Sequence, residues 1–323
     1  MGTQRGQVCS LHLVYPPISN QEAEWVRCDP DVQSTLKTSN FYMIGGRAEA
    51  RFENLNPSAA TSTLEFDYVV GGKRANHVTL VLNELLQNAR IPAGTMDLEV
   101  GDKIIRIWAI DERGRRPENL LVWFTTESLL FDCWRGRSGI YGFEDLRHFA
   151  TYELLYAGIS KKDDAFERLL NKPHDKRLRI LANESQITKG ARVTDETYLF
   201  FFKLDVLRLH TYDVHSEPLD FGLEPDLEDP RILADAEKAF VSFIQSRYNA
   251  IKYKSYPKGI DGLFDSELDR YCYVIGEDLT FHGPGSEIVG GFHPDLPNSN
   301  DADFILVEGD DATLIKAANL AEL

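Results

Sequence analysis

Residues 151–183 read TYELLYAGISKKDDAFERLLNKPHDKRLRILAN, and the interpretation of this stretch decides the fold. Leu154, Leu155 and Tyr156 form a short apolar run with strand character that stops at Gly158. Ser160 and a polar turn follow, with Asp164 and Glu167 spaced as a capping box at the head of a helix. That helix carries Arg168 and is broken by Pro173, and a second helix starts near His174. A strand that ends on glycine and hands over to a helix brings a tyrosine hydroxyl, open backbone and a guanidinium to one sheet edge. Such an edge suits a phosphate.

The composition fits a folded protein with room for more than one domain: 323 residues, 43% hydrophobic and 11% aromatic. No run of 18 apolar residues exists, and MGTQRGQVCSLHLV lacks the apolar core of an export signal. The expectation is a soluble, cytoplasmic protein with no membrane partner. Gly2 is not followed by Ser or Thr at position 6, which removes a myristoylation signal. Cys9, Cys28, Cys133 and Cys272 are scattered without a CxxC pair, so buried free thiols are expected rather than disulfides or zinc.

A net charge of −16 argues against indiscriminate adhesion to nucleic acid, but the charge is unevenly distributed. Nine Lys or Arg face five acids between Gly158 and Arg192, whereas nine acids face Arg231 alone between Tyr212 and Glu237. Segregation of this kind reads either as solvated surface plus a linker, or as a basic groove towards which acidic surfaces push an anion.

Outside the central stretch, residues 1–135 read as strands at Cys9–Val14, Phe41–Phe52, Thr63–Val70, Lys103–Ile110 and Leu120–Phe124. One helix is expected among them, His77–Ala89, from Val78, Leu82, Leu85 and Leu86 at helical spacing, closed by Pro92 and Gly94. Arg135–Ser138 reads as a basic loop leading into Gly139-Ile140-Tyr141. Thr197–Val206 is a strongly apolar strand, 212–230 an acidic loop or insertion, and Leu233–Tyr248 a helix that leaves Glu237 beside its apolar stripe. Asn249 ends that helix, and IKYKSYPK (251–258) adds lysines. From Gly259 onward, strands are expected at Tyr271–Ile275, Leu279–His282, Ile288–Phe292 and Phe304–Val307, before a tail that is acidic and then helical.

The order Gly139-Ile140-Tyr141, Tyr156-Ala157-Gly158, Arg168, His174, Glu237, Asn249 resembles the GIY-YIG endonuclease superfamily, over roughly residues 136–258. The resemblance implies an α+β fold whose small nuclease domain is a three-stranded antiparallel sheet flanked by helices. It also implies metal-dependent phosphodiester hydrolysis. On this reading a β-rich domain (1–135) selects substrate or partner, 136–258 is the nuclease, and 259–323 is a β-rich extension. Ala157 stands where the family has an aliphatic residue. Gly142–Ala150 reads as helix rather than hairpin, which leaves Leu120–Phe131 as an alternative source of the first strand. The acidic segment 212–230 supplies the insertion needed between Gly158 and Glu237.

The chemistry assigns roles. One carboxylate, Glu237, is enough for Mg²⁺ or Mn²⁺, because such ions keep waters and take substrate oxygens. Arg168 forks onto non-bridging oxygens, Tyr156 places or deprotonates the water, and His174 shuttles a proton. Tyr141 is the matching tyrosine of the first motif. Gly158, Lys161, Lys172, Lys176, Asn249, Lys252 and Lys254 are candidates for holding substrate, expected to be nucleic acid and DNA in the first place. Each has a structural alternative: a core tyrosine at 156, a solvent-facing helix arginine at 168, a dipole-favoured glutamate at 237, a helix cap at 174 or 249. Competing functions are a binding module without activity, or a protein-interaction or homo-oligomeric protein built on the β-rich parts. A role in restriction or phage defence is suggested by the resemblance alone.

Overall fold

Two apolar runs, FYMIG at 41–45 and YLFFF at 198–202, are buried on both sides and so become neighbouring interior strands of one sheet. The protein is described by a computed structural model covering residues 4–86, 96–111, 113, 116, 120–161, 163–211, 230–266, 268–293 and 301–320. The chain opens with β1 (Gln4–Leu13), β2 (Ile18–Ser19), α1 (Ala23–Val26), α2 (Pro30–Leu36) and β3 (Phe41–Gly46). Next come β4 (Ala50–Ser58), β5 (Thr63–Val70), β6 (Arg74–Val81) and α3 (Leu82–Leu85). β7 (Met96–Val100), β8 (Ile104–Ala109), β9 (Leu120–Thr125) and α4 (Thr126–Trp134) follow. β10 (Ile140–Tyr141) and α5 (Leu146–Phe149) lead into β11 (Thr151–Ile159), a π-helix at Glu167–Asn171, α6 (Asp175–Asn183) and β12 (Thr197–Thr211). The remainder is α7 (Pro230–Ile244), β13 (Arg270–Ile275), β14 (Thr280–His282), β15 (Glu287–Val289), β16 (Phe304–Glu308), β17 (Asp311–Ile315) and α8 (Ala317–Leu320).

The fold is α+β, with one large curled mixed sheet and two small antiparallel sheets. The large sheet has the order β15-β14-β11-β3-β12-β1-β13-β16-β17, with β2 paired to β12. Its β11–β14 and β1–β13 pairs are parallel and its other pairs antiparallel. The small sheets are β10-β6-β5-β4 and β7-β8-β9. Strands of the large sheet come from all three segments expected to be separate domains, so neither 135/136 nor 258/259 is a division of this sheet. The expected three-stranded sheet is likewise not free-standing: β11, β3 and β12 are consecutive antiparallel members of the larger one.

Alternation along β3 sorts its side chains onto two cores. Phe41 and Met43 join Phe200, Phe202 and α7, with Phe41 edge-on to Phe240 at 6.0 Å between ring centroids. Tyr42 and Ile44 join Phe201, Leu155 and Tyr156, covered by Phe166 and Leu169 before and within the π-helix and by Ile180 of α6. At the far end of β3 the buried Arg47 bonds Glu127 of α4 at 2.5 Å and stacks over the Tyr152 and Tyr198 rings at 4.8 and 4.9 Å. This anchors α4 to the sheet.

Three expectations are corrected. The helix expected over His77–Ala89 is cut down to Leu82–Leu85, with 87–89 outside the described residues: Arg74–Val81 instead pairs with Val70–Thr63 residue by residue across Gly71 and Gly72, both at positive φ. Val78 and Leu80 are buried on alternate positions, and a partner strand outweighs helical spacing. α7 stops at Ile244, four residues early, where Gln245 takes φ +58°. The tail contains an extra strand, β17. Pro92, Gly94 and 212–229 lie outside the described residues. All four cysteines are free, with Cys28 exposed rather than buried. Among the described residues no helix is long and apolar enough to cross a membrane.

Candidate functional site

β14 pairs with β11 only as far as Glu153, which leaves the rest of that edge open. Backbone groups on a buried strand must be satisfied, and the segment after α7 does this. The Tyr248 N–H donates to Leu155 O at 2.9 Å. The Asn249 carboxamide then acts as a further peptide unit: its Oδ1 accepts from Ala157 N at 2.9 Å and its Nδ2 donates to Ala157 O at 2.8 Å. Ser246 Oγ donates to the same Oδ1 at 2.7 Å. Asn249 is 7% exposed, so its amide is a clamp on the YAG strand rather than a group offered to a ligand.

Past the clamp, an open cavity of about 360 Å³ is lined by Tyr156, Ile159, Ser160, Lys161, Asp163, Arg168 and Glu237. Residues at the end of β11 thus meet the π-helix region from one face of the sheet and α7 from the other. Asp164 Oδ1 accepts from Glu167 N at 2.7 Å, which is the cap expected at the head of the Arg168 helix. The helix is wide-turned over Glu167–Asn171 rather than an α-helix.

Tyr42 of β3, absent from the sequence candidates, holds the centre of a polar cluster beneath this cavity. Arg168 Nε donates to its hydroxyl at 3.0 Å, and His174 Nε2 lies 3.0 Å from it. His174 Nδ1 accepts from Arg177 N at 3.1 Å as the cap of α6, so the proton of the neutral imidazole sits on Nε2 and points at Tyr42. Burial, helped by Arg168 and Arg177, pushes His174 down to about 4 and keeps it neutral near pH 7. The Tyr42 and Tyr156 rings pack with 6.1 Å between centroids, close enough for each phenol to feel the other. Burial raises both phenols, while Arg168 pulls each back. A Cβ at residue 158 would come within 2.8 Å of both tyrosine rings, so Gly158 is the space in which they sit.

Glu237 is half-buried, and burial pushes its carboxyl up to about 7 against the pull of Lys161 and Arg168. It accepts no hydrogen bond among the described residues. The terminal nitrogens of Arg168 likewise carry no partner there. Tyr156, Arg168 and Glu237 therefore share one cavity, with His174 one hydrogen bond behind.

The other candidates are dispersed. Lys161 pairs with Asp261 at 3.3 Å at the cavity rim, and Lys172 with Asp163 at 2.5 Å. Lys176 lies on α6 without an ion pair among the described residues. Lys252 and Lys254 line a different cavity. Tyr141 is not brought to the cluster: it is 49% exposed on β10, in the four-stranded sheet, and its hydroxyl donates to Glu84. Gly139 and Gly142 have φ +90° and +99°, and a Cβ on either would strike Leu85 or His77 backbone. The glycine pattern there serves a turn packed on β6, which explains why GIY at 139–141 does not mark the strand beside YAG. Leu120–Phe131 does not supply that strand either, since β9 belongs to the three-stranded sheet. The missed signal was Tyr42 in an apolar run ending Gly45-Gly46.

Among the described residues no group of three or more His, Cys, Asp or Glu side chains converges as a metal cage would. Comparison with known protein families, curated proteins and solved structures finds no match.

Proposed function

We propose that the protein is a metal-dependent nuclease hydrolysing nucleic-acid phosphodiester bonds, DNA in the first place, on a divergent GIY-YIG-like arrangement. Tyr42 stands in for the tyrosine of the first motif. The observation that carries this reading is a half-buried carboxylate, Glu237, with unoccupied oxygens in the same cavity as Tyr156 and the free end of Arg168. The chain order supports it: a tyrosine strand, the YAG strand, Arg168, His174, a third antiparallel strand, then a helix carrying Glu237. Strands β11, β3 and β12 are consecutive and antiparallel within the ten-stranded sheet, with the π-helix, α6 and α7 packed beside them, and this supports the reading.

The donor set fits Mg²⁺ or Mn²⁺, since a single carboxylate suffices for an ion that fills its other positions from water and substrate. A divalent ion at Glu237 supplies charge neutralisation at the phosphate and help for the leaving oxygen. The chain's own groups do the rest. Arg168, fixed through Nε, offers its terminal nitrogens to the non-bridging oxygens. Tyr156 faces the cavity and orients the attacking water. Tyr42 accepts from Arg168 and His174 and packs against the Tyr156 ring, so it sets where the guanidinium and the second phenol stand. Tyr42 is thus a positioning residue for Arg168 and Tyr156. Lys161 at the rim assists in drawing the strand in.

Glu237→Gln, which keeps shape and removes the charge, is expected to abolish cleavage of labelled DNA or RNA in Mg²⁺ or Mn²⁺ while leaving thermal unfolding within a few degrees of the parent. Equal cutting by this variant would sink the assignment. Binding by the parent without cleavage in either metal would favour an inactive nucleic-acid-binding module.

A further inference from the structure

Beyond the Glu237 cavity, α7 borders a second one of about 260 Å³. Its polar lining is Ser242, Gln245, Lys252, Tyr253, Lys254 and Tyr256, with no carboxylate among the lining residues. In a chain of net charge −16, a concave site lined by two lysines and no acid is unusual. Lys252 is half-buried and reaches only a backbone carbonyl, that of Ser246. Burial alone lowers its pKa, and no carboxylate is close enough to hold it up. Lys254 is exposed and has no ion pair among the described residues. The neighbouring Lys258, by contrast, is paired with Asp310 at 2.8 Å.

The site is held in a particular shape. Gln245 and Tyr253 both adopt positive φ, +58° and +45°, conformations that non-glycine residues take up only when their surroundings impose them. The C-terminal end of α7, which borders the cavity, would by itself repel an anion. Its last two carbonyls are already occupied: Ser286 Oγ donates to Phe243 O at 3.0 Å and Gly285 N to Ile244 O at 3.1 Å. Two full positive charges outweigh the remaining half-charge of the helix end.

We infer that this cavity is a phosphate-binding subsite, holding through Lys252 and Lys254 a phosphate group of the strand being cut. Tyr253 lines the second cavity, and its phenol feels the charges of Glu237 and Asp261. Glu237 and Ser242 are five residues apart on α7, about 7.5 Å along its axis and about 140° around it, so a strand that reaches both cavities passes over the surface of this helix. The inference rests on the nuclease reading for what the phosphate belongs to, but the lysine pocket is a separate observation.

The test is the salt dependence of oligonucleotide binding, measured by fluorescence anisotropy in EDTA so that cleavage plays no part. One phosphate contact contributes about 0.9 to the slope of log K against log salt. Lys254→Met and Lys252→Met,Lys254→Met are expected to shallow the slope by about 0.9, so a fourfold rise in salt costs the parent about 3.5-fold more affinity than the variants. Lys254→Met alone is the safer variant, because Lys254 has no structural contact whose loss could perturb folding. Oligonucleotides with and without a 5′-phosphate distinguish a terminal phosphate from an internal one: lysine dependence that appears only with the 5′-phosphate assigns the pocket to strand ends. A parent that cuts nucleic acid while its slope matches both variants overturns the subsite and leaves the nuclease standing. A parent that binds with the lysine-dependent slope but never cuts supports the subsite and removes the nuclease. Absence of binding at low salt removes both.

Discussion

Asn249→Ala tests whether the carboxamide after α7 is a structural clamp. The side chain completes the buried edge of β11 where β14 has ended, and its loss orphans the N–H and the C=O of Ala157, a residue with 0% exposure. A buried backbone group left without a partner costs about 1–3 kcal/mol, so the two together cost about 2–6 kcal/mol. Ser246 Oγ also loses its acceptor, at roughly another 1 kcal/mol. Against a typical total stability of about 5–15 kcal/mol this is a large fraction. The assay is equilibrium urea unfolding, reading a lower midpoint at unchanged m. Asn249→Asp sharpens the test: one carboxylate oxygen can still accept from Ala157 N, but the other then faces Ala157 O. Asp should therefore be destabilised too, and should recover as the pH falls and the carboxyl becomes a donor. A loss below about 1 kcal/mol for Asn249→Ala, with nucleic-acid affinity reduced, would refute the clamp and return Asn249 to the substrate-contacting residues.

Two further outcomes follow from the tyrosine cluster and from the buried acids. Tyr42→Phe removes the acceptor of both Arg168 Nε and His174 Nε2 while keeping the ring, and should slow single-turnover cleavage by about 10²-fold, the cost of misplacing a reacting group by about 1 Å; Tyr141→Phe should leave the rate unchanged, and equal defects in the two would count against the cluster. Glu22 is pushed up to about 8 by burial and by Glu127, and Glu237 and Glu277 to about 7 by burial. Their folded pKa values exceed the unfolded ones, so the native state binds the extra protons and stability falls as pH rises through 7–8. His12 and His174 are lowered by burial and act in the opposite sense, but only below about pH 6.5. Unfolding free energy should therefore drop by about 2–3 kcal/mol between pH 6.5 and 8, and Glu22→Gln should flatten that slope; a rise with pH in both proteins would contradict the placement of these carboxyls.

What the sequence revealed were features fixed over a few residues. The end of the strand one residue past Gly158, the Asp164 cap and the amphipathic α7 are local events, and their side chains and backbone lie together in the chain. The partner of the YAG strand was not legible, because strand pairing is a relation between distant segments and β3 precedes β11 by about a hundred residues. Gly139-Ile140-Tyr141 matched a three-letter pattern closer at hand, but its glycines answer to the turn against β6. The same limit explains His77–Ala89: Val78, Leu82 and Leu85 satisfy a helical period, and only the presence of β5 opposite shows that Val78 and Leu80 alternate inward. Asn249 was legible as a terminator of some kind. That it caps a strand rather than a helix depends on where β14 ends, which no property of residue 249 encodes.

The position of Tyr42 joins these points. On β3 it stands directly opposite Gly158 in the antiparallel register, so the one residue of β11 without a side chain faces the phenol that needs the room. Tyr156, two residues back along β11, projects to the same face and closes on that phenol from the side. With Gly158 as any larger residue, the two rings could not lie side by side while Tyr42 holds Arg168 and His174. The glycine that looked from sequence like the end of a strand is thus the condition for the cluster, and the cluster in turn fixes where Arg168 must point. Only its terminal nitrogens remain for the cavity, directed to the side on which Glu237 waits.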